Sequence, residues 1–172
     1  MAEYLIVHSD PEYLELLDSS DYFDLKNANE VYEATHDDLC QYRGMVLFCE
    51  LLKDRNDQAV LANKHYGIQL AQYLRNELKL RLPILFTSCL SRVALTKGIL
   101  KHAIVNAVGH SFLQLPCHPN GWIDELQLMR PLNEIELNDV RKIIVITTAW
   151  PSSSCIAFPI SNLLVNLLFQ ML

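Results

Sequence analysis

The sequence predicts an α/β domain: a doubly wound, parallel, five-stranded sheet followed by a C-terminal appendage. Three observations carry this expectation. Strand-like and helix-like segments alternate five times along the 172 residues. Several of the strand-like segments are unbroken apolar runs, as expected of strands buried on both faces. The length suits one domain, and 51% hydrophobic residues are enough for a real core.

Glu3 to His8 is the first apolar run and reads as a buried strand. Asp10 then offers an N-cap and Pro11 a first-turn proline, and Tyr13, Leu14, Leu16 and Leu17 repeat at helical spacing. Glu30 to Thr35 alternates weakly and reads as a second strand. His36 to Tyr42 reads as a short helix with Leu39 inward. Gly44 to Cys49 is the continuous run expected of a central strand. The polar, irregular stretch from Leu52 to Asn63 reads as a loop. Gly67 to Lys79 is an amphipathic helix, with Leu70, Ala71, Leu74 and Leu78 inward and Arg75, Glu77 and Lys79 outside.

Leu82 to Thr87 is the next buried strand, followed by a turn over Ser88 to Ser91. Arg92 to His102 reads as a helix. His110 to Pro116 is a fifth strand that stops at proline. Asn133 to Lys142 is a final helix carrying Ile135, Leu137 and Val140, and Ile143 to Trp150 continues it as a strand-like run.

Charge is unevenly spread. Met1 to Asp38 holds eleven acidic residues and one basic residue, Lys26; Leu39 to Ala103 holds four acidic and ten basic. No charge follows Lys142. All 34 charged residues thus lie in the first 142 positions. The net charge of −6 argues against a nucleic-acid partner, which calls for a basic face. Solvated helix faces of differing sign account for the pattern, and a dipolar surface that orients a partner is the sharper reading.

The five cysteines are odd in number and form no CxxC pair, so a reducing, cytoplasmic setting fits, with neither disulfides nor a metal site. The N-terminus lacks the basic and apolar regions of a signal peptide. No glycine-rich phosphate loop occurs, which disfavours a nucleotide cofactor. No cofactor of any kind is expected.

Ligands of doubly wound sheets sit beyond the carboxyl ends of the strands. Those ends carry His8-Ser9-Asp10, Cys49-Glu50, Ser88-Cys89 and Leu115-Pro116. In order and spacing, the segments Tyr4 to Leu17, Met45 to Cys49, Gly67 to Ala71, Leu82 to Ser88 and Phe112 to Pro116 resemble a response-regulator receiver domain of flavodoxin-like fold, over residues 3 to 117. The resemblance implies an aspartate phosphorylated at the end of the third strand, an acidic Mg²⁺ pair after the first, a Ser/Thr after the fourth and a lysine before the fifth-strand proline.

This chain departs at nearly every point. The acidic pair falls on His8 and Ser9, with Asp10 nearby. The acceptor falls on Cys49, or on Glu50 if the register slips by one. The lysine falls on Leu115, with Gln114 beside it, and only the hydroxyl survives, as Ser88. The resemblance therefore implies a degenerate pseudo-receiver, not an enzyme, that signals without phosphorylation through protein partners, self-association included, in a bacterial setting. Its contact face would include Arg92, Lys97, Lys101 and Phe112.

Sharper readings stand beside this one. Cys49 with His8 would make a nucleophile and base, whereas an inert strand-end thiol is the plainer view. Glu50 would mimic a phosphorylated aspartate. Residues 1–118 are read as the receiver-like domain, 119–142 as a helical extension and 143–172 as an uncharged hydrophobic tail. The tail reads as a packed helix, as a membrane anchor that would make the chain a membrane-associated adaptor, or as a segment foreign to the fold.

Overall fold

The computed structural model describes residues 2–8, 22–49, 66–89, 108–109, 111–115 and 119–148. The expected helices over Tyr13–Leu17 and Arg92–His102, the loop at Leu52–Asn63 and the chain beyond Thr148 lie outside these residues. Five strands, β1 (Tyr4–Val7), β2 (Phe23–Lys26), β3 (Gly44–Phe48), β4 (Ile84–Ser88) and β5 (Ser111–Gln114), form one sheet in the order β2-β1-β3-β4-β5. Every neighbouring pair is parallel. This is the doubly wound, flavodoxin-like arrangement expected from the sequence.

β1, β3 and β4 are the three continuous apolar runs, and every residue in them is buried. Each fully buried Leu, Ile or Phe side chain contributes about 1.5–3 kcal/mol. β2 lies elsewhere than expected. The strand is Phe23–Lys26, while Ala28–Glu33 is a helix, α1. The reason is local. Asn27 accepts from the Glu30 N–H at 3.0 Å, and Glu30 Oε2 accepts from the Asn27 N–H at 2.6 Å, a reciprocal capping box. Ala28 and Val31, three apart, then bury one helical stripe.

The same device starts α2 (His36–Cys40), where Thr35 and Asp38 cap each other and Leu39 is buried. After β3 comes α3 (Tyr66–Asn76), with Leu70, Ala71 and Leu74 buried. Arg75, expected outside, is wholly buried. At the end of α3 it donates to the carbonyls of Leu80 at 2.6 Å, Leu82 at 2.9 Å and Val108 at 3.1 Å. Carbonyls of the turns into β4 and β5 need donors, and a guanidinium supplies several from one position.

Among the described residues two helices follow β5: α4 (Pro119–Leu128) and α5 (Glu134–Thr148). Strand alternation puts Tyr4, Phe23, Val46, Phe48 and Thr87 on one face. α4 covers that face. Its Trp122 is wholly buried and meets Phe23 and Phe48 edge-on at 6.1 and 5.9 Å. Right-handed crossovers put α1 and α3 on the other face, where the Tyr32 and Tyr73 rings meet tilted by 52°, 4.9 Å between centres. α5 packs against α3.

The link from α4 to α5 passes the amino edge of the sheet, where the Leu132 N–H donates to the Arg81 carbonyl at 2.8 Å. Asn133 and Glu136 form a third capping box at the start of α5. Leu137, Val140 and Ile144 are buried, while Ile135 is 73% exposed. Ile143–Thr148 is helix, not strand-like, because packing against α3 outweighs the strand preference of a β-branched run. Trp122, Leu126, Val140 and Ile144 belong to the same core as the sheet.

Candidate functional site at the carboxyl edge of the sheet

The strand register sets up a row of side chains at the carboxyl edge. Phe48 pairs with Thr87, so Cys49 follows level with Ser88, and Ser88 pairs with Gln114. Neighbouring strands lie about 4.8 Å apart. A thiol, a hydroxyl and an amide therefore stand side by side on the α3 face. The ladder continues through this row: the Cys49 N–H donates to the Thr87 carbonyl at 2.9 Å, and the Leu115 N–H donates to the Ser88 carbonyl at 2.8 Å.

Cys49 and Ser88 are wholly buried. The Cys49 carbonyl accepts from the Gly67 N–H of α3 at 3.3 Å. That approach requires glycine, since a Cβ on residue 67 would lie 2.0 Å from the Phe48 carbonyl oxygen. Helix and strand end are thus locked together directly behind the thiol.

His8 sits elsewhere. Its ring stands edge-on to Phe48 at 4.5 Å and 79°, and its N–H donates to the Lys26 carbonyl at 3.2 Å. Alternation turns it to the α4 face, opposite Cys49. The register therefore separates the two side chains that a Cys49–His8 catalytic pair would join. Leu115, matched to the receiver lysine, follows Gln114 and faces the other side of β5, so Gln114 occupies the row. Phe112, on the same face as Gln114, is half-buried. Ser9, Asp10, Glu50, Arg92, Lys97 and Lys101 lie outside the described residues.

A row of thiol, hydroxyl and amide contains no cationic side chain, whereas a phosphoryl dianion calls for cations. Among the described residues no group of three or more His, Cys, Asp or Glu side chains is arranged to hold a metal ion. A thiol–imidazole contact does exist on α2, where Cys40 Sγ lies 3.3 Å from His36 Nε2. Burial, reinforced by Asp37, raises the Cys40 pKa, the reverse of what a nucleophile needs. No helix among the described residues is long and apolar enough to cross a membrane.

The strand-end pattern gives no hint of the opposite, amino edge, where Arg43, Lys79 and Arg81 gather around a cleft. The available signal was the basic run from Leu39 to Ala103, which includes all three.

No protein-family model matches the chain, and no curated protein matches it. Among solved structures it is similar to a response regulator receiver protein from Pseudoalteromonas atlantica, with a TM-score of 0.46 and 17% identity. That similarity covers 72% of this chain and 93% of the other.

Proposed function

We propose that this chain is a phosphorylation-independent signalling or regulatory module. It works without catalysis through contacts with protein partners, in the cytoplasm of a bacterial signal-transduction system. The observation that carries the reading is the row Cys49–Ser88–Gln114 at the carboxyl edge of the sheet. A phosphorylated aspartate would require a carboxylate, a divalent cation and a lysine at such an edge. The described row supplies a buried thiol and two neutral polar groups instead. The ordered sheet behind it remains a rigid platform for presenting a surface to a partner.

Incubation of the full-length chain with Mg²⁺ and acetyl phosphate tests this. Intact mass analysis is expected to find no stoichiometric, acid-labile phosphate. Its appearance on any carboxylate, Glu50 or Asp10 included, would overturn the proposal.

A further inference from the structure

A cleft of about 720 Å³ opens at the amino edge of the sheet, the end opposite the strand-end row. Its volume lies within the range of small-molecule sites, roughly 300–1,000 Å³. Leu82, Leu126 and Met129 supply apolar wall, while Arg43, Lys79 and Arg81 supply positive charge. Segments distant in sequence meet here: the start of β1, α2 with the turn into β3, the turn into β4, and the end of α4.

Two independent features point to a ligand. The first is unbalanced charge. Arg43 pairs with Glu3 at 2.9 Å, whereas Lys79 and Arg81 meet no carboxylate among the described residues. The second is the buried apolar wall beside that charge, which Tyr4, Leu82 and Leu126 supply. Lys79 also holds a left-handed backbone, φ 52°, where glycine would be relaxed.

We propose that this cleft binds a small amphipathic organic anion. Its acidic group would be held by Lys79 and Arg81, and its apolar or aromatic body would lie against Leu82, Leu126 and Met129. Carboxylate and phosphate share the chemistry that the two cations recognise.

The test titrates the full-length chain with 1-anilinonaphthalene-8-sulfonate, an aromatic sulfonate, read by fluorescence and by backbone amide shifts. Saturable binding is expected at one site, with shifts confined to the segments around Arg43, Lys79–Leu82 and Leu126–Met129. Arg81→Gln and Lys79→Gly should each weaken it about tenfold, the loss of one charge-assisted hydrogen bond. Lys142→Gln, on α5 and outside the cleft, should leave it unchanged. Phenyl phosphate and benzoate then compete separately, and the stronger competitor identifies the preferred acid group. Binding that ignores both cleft substitutions, shifts centred elsewhere, or no saturable binding would each overturn the proposal.

Discussion

Arg75 and Val108 are 33 residues apart, yet the Arg75 Nε donates to the Val108 carbonyl at 3.1 Å inside the protein. The same guanidinium holds the carbonyls of Leu80 and Leu82. One side chain thereby ties the end of α3 to the approaches of both β4 and β5. Burial lowers its pKa to about 9, which still leaves it charged at neutral pH.

Arg75→Met, which keeps the bulk of the stem, should therefore cost about 3 kcal/mol, because buried carbonyls lose their donor. Urea unfolding measures this as a lower midpoint with an unchanged slope. A midpoint within experimental error of the parent would mean that water replaces the guanidinium without loss.

Gly67 and Gly121 should respond to alanine in opposite directions. A Cβ at residue 67 would meet the Phe48 carbonyl oxygen at 2.0 Å, and backbone cannot swing aside. Gly67→Ala should cost more than about 3 kcal/mol by pushing α3 off the end of β3. At Gly121, on α4, a Cβ would meet nothing within 4 Å. Gly121→Ala should then stabilise by about 0.5–1 kcal/mol through helix propensity. Thermal melts of the two variants test the pair.

Tyr42 predicts an alkaline pH dependence. Burial, aided by a hydrogen bond from its hydroxyl to Asp24, raises its pKa from 10.0 to about 12. The unfolded phenol loses its proton first as pH rises, so the native state binds more protons in that window. The stabilisation is complete below pH 10 and is lost as pH rises through about 12. Tyr42→Phe should cost about 1 kcal/mol at neutral pH and remove this slope. Urea midpoints for both proteins across the window decide it; identical slopes would point to other groups.

Much of the architecture could be read directly from the residues. β1, β3 and β4 announce themselves because burial on both faces leaves no polar residue in Leu5–Val7, Met45–Phe48 or Ile84–Phe86. β2 hid because it is an edge strand, Phe-Asp-Leu-Lys, with only Phe23 buried. The alternation at Glu30–Thr35 misled because a capping box, visible as Asn27 and Glu30, had already committed those residues to helix. Arg75 sits within an amphipathic pattern, and only its carbonyl partners, brought from two other segments, reveal why it faces inward.

The strand-end row was half legible. Cys49 and Ser88 follow from where apolar runs stop, but the choice between Gln114 and Leu115 is one of register. A single-residue step turns a side chain to the other face. Only the pairing of Ser88 with Gln114 decides it. The amino-edge cleft was not legible, since Tyr4, Arg43, Lys79 and Leu126 share no local period and meet only through tertiary packing.

Lys79 separates stability from binding in a single substitution. Its φ of 52° places a side-chain-bearing residue in the left-handed region just after α3, where the Leu80 N–H returns to the Leu74 carbonyl at 2.9 Å. Glycine adopts that conformation without the steric penalty, so Lys79→Gly should stabilise the fold by about 1 kcal/mol. Lys79→Ala keeps the penalty while removing the charge and should leave stability nearly unchanged. If the lysine serves the cleft, both variants lose affinity for the aromatic sulfonate although only one melts higher. If it serves the turn alone, the two variants bind like the parent. Melting temperature and titration measured on the same three proteins therefore distinguish a residue retained for its charge from one that merely closes a helix.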